Sequence, residues 1–342
     1  MDADPPFHKA YENLFDIKTT KNIPQDLLNK NDNKLFIVEE CELPIIDLSR
    51  LNLSELEKEK CKAEIVRASK EWGFFQVVNH EISNEIWEKI RFEQQRMFKQ
   101  PFDKKIKEDK YLKLSAGSYR WGTPSATNLS QLSWSEAFHI PLVDIYRSSG
   151  GFDSTLGTIV QHFAMTVSNL AQKLAEILAE KMGHESTFFQ ENCLPSTCYL
   201  RMNHYPPCPI DLDDQVFGLT PHTDSDFLTI LHQDQVGGLQ LVKDGKWIAV
   251  KPNPEALIIN IGDLFQAWSN GTYVSVKHRV VTNPVVERFS TAYFFCPAYD
   301  TVIQSCCEPA IYKEFSFREY RQQVQADVQK LGSKIGLARF LV

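Results

Sequence analysis

The sequence lacks the features that define several large classes of protein. No apolar run is long enough to cross a bilayer, and residues 1–5 lack the basic and apolar regions of a secretory signal. No block of lysine or arginine offsets the formal net charge of −7, which argues against a nucleic-acid-binding surface. We therefore expect a cytoplasmic protein that binds neither membranes nor nucleic acids. Its oligomeric state is left open.

Common zinc motifs are missing as well. The eight cysteines are scattered and form no Cys-x-x-Cys pair, so a structural zinc cluster is disfavoured and reduced thiols are expected. No His-Glu-x-x-His segment of a zinc protease exists. A small basic cluster, Lys104, Lys105 and Lys107, is surrounded by acidic residues and is predicted to be a solvated helix end.

The chain does contain enough apolar residues for a substantial core. Hydrophobic residues make up 43% of the 342 residues and charged residues 24%, the ordinary range of a globular protein. In the first half, predicted helices alternate with short strands. One long helix follows, because apolar residues recur at steps of three and four, and Gly183 is its expected end. The stripe consists of Ile159, Phe163, Val167, Leu170, Leu174 and Ile177.

From residue 198 onward the pattern changes to short β-rich segments separated by turns, which is typical of a sandwich or barrel. These segments are 199–205, 227–232, 239–242, 247–250, 257–261, 274–281 and 289–296. We predict a mixed α/β fold with an all-β core. Residues 1–185 form an N-terminal helical and α/β region, 195–300 the core and 301–342 a C-terminal helical segment, all in one compact unit. Residues 1–40 are expected to be an irregular arm or short helices.

Two histidines and an aspartate stand in a pattern suited to a metal ion. His222 and Asp224 are two positions apart, so both side chains point to one face if segment 219–224 is extended. His278 lies in a later predicted strand. Two imidazoles and one carboxylate can occupy one face of an octahedral ion and leave the other open, which suits non-haem Fe(II). Structural zinc prefers four closed ligands, and no fourth ligand is obvious.

Arg288 and Ser290 follow His278 and share one face of an extended strand. A guanidinium binds a carboxylate through two parallel hydrogen bonds and keeps its charge when buried. Tyr205 offers a phenolic hydroxyl to the same carboxylate. We predict that these three residues bind a dicarboxylate co-substrate and that Arg288 is needed for catalysis. A surface salt bridge between Arg288 and Glu287 is the alternative.

Two further segments accompany these motifs: Asn203-His204-Tyr205-Pro206-Pro207-Cys208-Pro209 and Trp72-Gly73-Phe74-Phe75-Gln76-Val77-Val78-Asn79-His80. With them, the chain resembles the plant soluble Fe(II)/2-oxoglutarate-dependent dioxygenases over most of its length. The resemblance implies a double-stranded β-helix (jelly-roll) core flanked by helices. It implies Fe(II) at His222, Asp224 and His278, and 2-oxoglutarate at Arg288, Ser290 and Tyr205. It also implies O₂ as co-substrate and ascorbate as reductant.

Segments Tyr119-Arg120-Trp121-Gly122-Thr123-Pro124 and Leu132-Ser133-Trp134-Ser135-Glu136-Ala137-Phe138-His139-Ile140-Pro141 resemble the gibberellin 2-oxidases that act on twenty-carbon gibberellins. This resemblance implies hydroxylation of a gibberellin at the 2β position, which inactivates the hormone or its precursor. The substrate is a rigid diterpenoid acid and calls for an apolar pocket with a cationic group. The candidate residues are Tyr119 and Arg120 for the acid, and Trp134, Phe138 and Phe295 for the carbon skeleton.

Three other interpretations are consistent with the same motifs. A related plant oxygenase acting on a flavonoid, or on another gibberellin carbon, would share the metal and co-substrate residues. A jelly-roll hormone sensor would keep the metal without catalysis and would not require Arg288. A zinc hydrolase would work without O₂ and 2-oxoglutarate.

Overall fold

The computed structural model of the chain describes residues 3–19, 38–107, 117–147, 154–185, 187–209 and 216–342. None of the helices in these ranges is both long and apolar enough to span a membrane. The helices are α1 (Phe7–Ala10), α2 (Glu12–Thr19), α3 (Glu55–Glu71), α4 (Asn84–Phe98), α5 (Phe102–Ile106), α6 (Leu142–Arg147), α7 (Ser154–Glu180), α8 (Thr187–Asn192), α9 (Asp263–Trp268) and α10 (Phe317–Leu331).

Most strands of the described ranges lie in the second half of the chain. They are β1 (Glu40–Cys41), β2 (Ile45–Asp47), β3 (Phe74–Val78), β4 (Tyr119–Trp121), β5 (Glu136–Pro141), β6 (Tyr199–Tyr205), β7 (Phe217–His222), β8 (Leu228–Gln233), β9 (Leu239–Lys243), β10 (Lys246–Val250), β11 (Leu257–Ile261), β12 (His278–Val281), β13 (Arg288–Phe295), β14 (Val302–Ile303) and β15 (Phe315–Ser316).

Local side-chain chemistry defines several helix ends. The hydroxyl oxygens of Ser54 and Ser83 accept hydrogen bonds from backbone N–H groups in the first turns of α3 and α4. Ser316 and Glu319 form a capping box at the start of α10. Gly332 ends α10 in the left-handed conformation, at φ 73°. These bonds satisfy backbone groups that a helix cannot pair internally.

Two sheets form the β core. The smaller sheet has the strand order β1-β10-β9-β12-β7, and the larger has the order β2-β3-β11-β8-β13-β6-β5-β4. Apart from the parallel pairs β1–β10 and β2–β3, the neighbouring strands run antiparallel. The side chains of one core cluster come from both sheets, among them Phe74, Tyr205, Leu239, Leu241, Ile258 and Val280.

The other face of the larger sheet packs against helices. In α7 the side chains of Phe163, Val167 and Leu174 are almost fully buried in this second cluster, together with Ile65 of α3 and Ile90 of α4. Burying one such side chain contributes roughly 1.5–3 kcal/mol. The result is a layered arrangement in which helices support the larger sheet, and that sheet supports the site described below.

The predicted jelly-roll core with flanking helices is confirmed. The apolar stripe that predicted the long helix lies on α7, and the predicted β-rich segments correspond to β6 and β8–β13. Short helices α1 and α2 occur within residues 1–40, as expected. Residues 20–37 of that arm lie outside the described ranges.

Several predictions are corrected. Segment 274–281 becomes a strand only at His278, because the N–H groups of Val274 and Ser275 donate to Ser69 O and Gln266 Oε1 rather than to a neighbouring strand. The helix α9 was not predicted, since six residues are too few to show a helical period. Lys105 is not solvated. It is only 3% exposed and pairs with Glu136.

Candidate active site

His222, Asp224 and His278 meet where β7 and β12 pair. His222 and His278 are register partners, and their ring centroids lie 4.3 Å apart. Oδ1 of Asp224 lies 3.5 Å from Nε2 of His222 and 3.8 Å from Nε2 of His278. One ion can bridge three atoms so placed. β7 ends at His222, so the prediction that segment 219–224 is extended throughout is wrong for its last two residues. The turn after β7, rather than strand alternation, brings Asp224 to the histidines.

Hydrogen bonds behind the histidines fix which nitrogen faces the site. Nδ1 of His222 lies 2.8 Å from the carbonyl oxygen of Thr220, and Nδ1 of His278 lies 3.1 Å from that of Val276. A carbonyl oxygen only accepts, so each Nδ1 carries the proton and each Nε2 keeps a free lone pair. Both lone pairs are therefore available to a metal ion.

The carboxylate of Asp224 is held in the same way. Its Oδ2 accepts hydrogen bonds from Thr229 Oγ1 at 2.6 Å and from Asn260 Nδ2 at 2.8 Å. Burial raises the pKa of Asp224, but interactions with His278, His222 and Thr229 outweigh burial and lower it. Burial lowers the pKa of His278 to about 4. The carboxylate is thus ionised and the imidazole neutral near neutral pH, the forms that bind a cation, and the donor set fits Fe(II).

A buried arginine lies at the start of β13. Arg288 is 2% exposed; its Nε donates to Gly237 O, and Nη2 donates to Gln233 Oε1 at 2.8 Å. Nη1 of Arg288 and Nε2 of Gln233 have no hydrogen-bond partner within the described residues. A buried charged donor without a partner is costly, so this arrangement fits a carboxylate supplied by a ligand. Glu287 pairs with His204 at 3.0 Å, and the alternative of an Arg288–Glu287 salt bridge is wrong.

Ser290 and Tyr205 lie beside Arg288. Arg288 pairs with Tyr205 in the register of β13 and β6, and its guanidinium carbon lies 4.7 Å from the Tyr205 ring centroid. Asn203 Nδ2 donates to Ser290 Oγ at 3.2 Å, which leaves the hydroxyl hydrogen of Ser290 for another acceptor. Gly218 lies against Tyr205, since a Cβ there would approach Tyr205 Cδ1 to 2.7 Å. The structure brings the three predicted co-substrate residues together.

Side chains alternate between two faces of the larger sheet, which separates site residues from core residues. The face that carries Arg288, Ser290 and Asn203 is called the site face. By the same alternation, β6 places Arg201 on this face, and Arg201 Nε donates to Asn203 Oδ1 at 2.8 Å. Phe294 is also on the site face, stacked on Tyr199 with ring centroids 4.5 Å apart.

A cavity of about 610 Å³ lies at this end of the site face, and Ser225, the residue after Asp224, borders it. Its lining includes Arg120 of β4, Tyr199 of β6 and Arg321 of α10. Burial, and then the charges of Arg120, Arg201 and Arg321, lower the pKa of the nearby His139 to about 3. Arg120 and Arg321 line the cavity together with Ser225, and Arg201 lies near enough to lower the same pKa, so this end of the molecule is cationic.

Of the five predicted substrate residues, Arg120 alone borders this cavity. The Tyr119 hydroxyl donates to Glu136, and Phe138 and Phe295 lie in the core between the sheet and the helices. Trp134 stacks on Phe7 with ring centroids 4.4 Å apart. Phe295 points away from the site face because side chains alternate along a strand, and the neighbouring Phe294 occupies that face. Alternation from Asn203 and Ser290 places Arg201 and Phe294 on the site face, a placement that sequence reasoning did not make.

A second group of ligand-type atoms consists of Asp4, Glu136 and His204, within 4.8 Å of one another. The ammonium of Lys105 and the hydroxyl of Tyr119 both donate to Glu136 Oε2. A lysine cation thus already neutralises the carboxylate. We interpret this group as an ion-pair network around the buried Glu136 rather than a metal site.

Comparison with known proteins agrees with this geometry. Residues 196–297 match the 2OG-Fe(II) oxygenase superfamily, and residues 43–144 match the N-terminal domain described as non-haem dioxygenase in morphine synthesis. Gibberellin 2-beta-dioxygenase 8 of Arabidopsis thaliana is 61% identical over 99% of this chain and 98% of its own. Gibberellin 2-beta-dioxygenase 6 of Oryza sativa subsp. japonica is 48% identical over 88% of this chain and 85% of its own.

A solved structure, that of JOX2 in complex with 2OG, Fe and JA, superimposes with a TM-score of 0.73 at 30% identity, over 93% of this chain and 97% of that one. The two-sheet fold and these matches define an Fe(II)- and 2-oxoglutarate-dependent dioxygenase, which uses O₂ as its second substrate. Within that class, the chain belongs to the gibberellin 2-beta-dioxygenase family.

Proposed function

We propose that this enzyme hydroxylates a gibberellin at the 2β position and so inactivates the hormone or its twenty-carbon precursor. Relatives at 61% and 48% identity carry the name gibberellin 2-beta-dioxygenase. The single structural observation that carries the proposal is the cationic cavity beside the metal loop. A gibberellin is an apolar ring system with a carboxylate, and this cavity offers guanidinium groups together with aromatic rings.

His222, Asp224 and His278 are the residues that would hold Fe(II), each through one atom. Arg288 and Ser290, with Tyr205 beside them, would hold the distal carboxylate of 2-oxoglutarate. When bound, iron and 2-oxoglutarate supply the oxidant that inserts an oxygen atom of O₂ into an unactivated C–H bond, with release of succinate and CO₂.

The protein's own part is to bind, orient and shield. Thr229 and Asn260 bond to Oδ2 of Asp224, so Oδ1 is the oxygen that would hold Fe(II). The unpaired Nη1 of Arg288 gives the co-substrate carboxylate a partner that is already in place before binding. Arg288 and Ser290 are 2% and 3% exposed, so water has little access to the proposed binding site of the co-substrate carboxylate.

On β6, Arg201 lies between Tyr199, which borders the cavity, and Asn203. Its Nε bonds to Asn203, and Asn203 bonds to Ser290 in the co-substrate region. We propose that the terminal nitrogens of Arg201, with Arg120 and Arg321, bind the gibberellin carboxylate. Phe294 and Tyr199 would then contact the carbon skeleton, in place of the predicted Phe138, Phe295 and Trp134.

The test is product identification. Purified protein is incubated with Fe(II), 2-oxoglutarate and, separately, twenty-carbon gibberellins, nineteen-carbon gibberellins and flavonoids, and the products are identified by mass spectrometry. We expect a 2β-hydroxylated gibberellin that depends on 2-oxoglutarate. Succinate release with a flavonoid but with no gibberellin would show that the substrate assignment is wrong.

A further inference from the structure

The C-terminal segment contributes a side chain to the loop that carries Asp224. Lys334 lies beyond α10, and its side chain is only 10% exposed. Its ammonium group donates to the carbonyl oxygen of Thr223 at 2.9 Å and to Oγ of Ser225 at 2.7 Å. These two residues flank Asp224. A third contact, at 2.6 Å, goes to Oδ2 of Asp263, so all three N–H bonds of the ammonium are used.

Asp263 connects the same loop to two helices. It is the first residue of α9 and is 3% exposed. Its carboxylate also accepts hydrogen bonds from Thr223 Oγ1, at 2.9 Å, and from the hydroxyl of Tyr320 in α10. Its backbone N–H donates to the carbonyl oxygen of Asp224 at 2.9 Å. The partner of Lys334 is therefore itself bonded to the metal loop.

The backbone between α10 and Lys334 follows a defined path. Gly332 ends the helix in the left-handed conformation, and a Cβ there would lie 2.1 Å from Nε2 of Gln131. Gly336 also has φ 73°, and a Cβ there would approach Asp263 Oδ2 to 3.5 Å. The segment therefore returns to the metal loop through positions that favour glycine.

We propose that Lys334 is a positioning residue for the metal centre. Thr229 and Asn260 hold the side chain of Asp224, whereas Lys334 holds the residues on both sides of it, Thr223 by its carbonyl oxygen and Ser225 by its hydroxyl. The ammonium suits this role because it binds three oxygens at once, and such charged hydrogen bonds are strong when buried. This inference rests on the proposed metal site. It assigns to the C-terminal segment, which belongs to neither matched family region, a part in metal binding.

The experiment is anaerobic calorimetric titration of the full-length chain with Fe(II), combined with thermal unfolding of the metal-free protein. Lys334→Met is compared with wild type, and Lys330→Met, an exposed lysine in the last turn of α10, is the matched control. We expect Lys334→Met to weaken Fe(II) binding about tenfold, the effect typical of residues that orient metal ligands. Lys330→Met should bind Fe(II) like wild type.

A second variant separates positioning from general stability. Lys334→Met leaves Asp263 without its cation, whereas Lys334→Met/Asp263→Asn removes both charges. We expect the double variant to recover unfolding temperature while Fe(II) binding stays weak, because the bonds to Thr223 and Ser225 are still missing. Recovery of Fe(II) affinity together with stability would overturn the proposal, as would unchanged affinity in Lys334→Met.

His222→Ala tests the underlying site in the same assay. We expect His222→Ala to lose Fe(II) binding. That loss would show that the assay reports on the proposed metal site, so that the result for Lys334 can be judged separately. Unchanged binding in His222→Ala would overturn the proposed metal site and the role of Lys334 with it. A result in which His222→Ala loses binding and Lys334→Met keeps it would overturn only the role of Lys334.

Discussion

A buried guanidinium without a carboxylate partner is the most informative single residue in this protein. Arg288 is held by a backbone carbonyl and by Gln233, yet one of its terminal nitrogens has no acceptor among the described residues. A charged group is retained in such a place when a ligand completes its bonding. The same logic applies to Gln233, whose amide nitrogen has no partner either.

We predict that Arg288→Ala raises KM for 2-oxoglutarate, because the co-substrate carboxylate loses a buried ionic hydrogen bond. Such bonds are worth about 1.5–3 kcal/mol, which corresponds to roughly ten- to hundredfold in affinity. Steady-state kinetics with varied 2-oxoglutarate measure the change. Arg67→Ala, an exposed arginine of α3, is the control and should leave KM unchanged. Equal KM values for Arg288→Ala and wild type would show that the co-substrate carboxylate is bound elsewhere.

We predict that Arg201→Met raises KM for the gibberellin, because the substrate carboxylate loses a cation on the site face. Arg201→Lys keeps the charge and should retain part of the affinity, although it loses the planar geometry of a guanidinium. Initial rates at varied gibberellin and saturating 2-oxoglutarate measure both variants. If Arg201→Met binds gibberellin as well as wild type does, the acid is bound elsewhere.

The proposed metal and co-substrate residues could be picked out from the sequence because several of them are closely spaced along the chain. Arg288 and Ser290 lie on one face of a strand because they are two positions apart. His222 is likewise two positions from Asp224. The side chains that orient Asp224 could not be predicted in this way. Thr229 and Asn260 come from β8 and β11, and only the pairing of those strands makes them neighbours. Lys334 is more distant still in sequence.

At the level of elements, an ion-pair network joins the edge of the larger sheet to α5. Glu136 of β5 is fully buried and accepts from Lys105 of α5 and Tyr119 of β4. His204 of β6 lies between Glu136, at 2.8 Å, and Glu287, at 3.0 Å. The prediction of a solvated Lys105 failed because the charge pattern of a segment does not reveal which partner the fold brings to it.

We predict that this network makes stability depend on pH. Burial lowers the pKa of His204, but its bonds to Glu136 and Glu287 outweigh burial and raise the pKa above the ordinary value of 6.5. The folded state therefore binds the proton more tightly than the unfolded state does. The stabilisation is fully present below pH 6.5 and is lost as pH rises through the folded pKa.

Urea unfolding of wild type and His204→Gln at several pH values measures the effect. The difference in free energy of unfolding between the two proteins should be largest at the acidic end and shrink toward higher pH. Subtracting the variant cancels the titration of groups outside this cluster, whereas Asp4, which interacts with His204, stays part of the measured difference. A difference that grows with pH would contradict the prediction.

At the level of the whole molecule, the layers have separate tasks. The helices and the face of the larger sheet that packs against them form a continuous apolar core. None of the proposed metal ligands belongs to this core. The proposed metal ligands lie on the smaller sheet and on the turn after β7, and the proposed co-substrate residues lie on the site face. The spacing of apolar residues predicted this layering, because the layering depends on which residues are apolar. This separation is the reason to expect that the fold does not depend on the metal.

We therefore predict that the metal-free protein stays folded and that ligands stabilise it stepwise. Fe(II) should raise the unfolding temperature under anaerobic conditions, and 2-oxoglutarate should raise it further. A ligand that binds only the folded state contributes about 2.7 kcal/mol at a hundredfold excess over its Kd. Far-UV circular dichroism should be the same with and without a chelator. In Arg288→Ala the Fe(II) step should remain and the 2-oxoglutarate step should shrink, because the two ligands depend on different residues. Loss of helical signal on chelation would instead show that the metal holds the layers together.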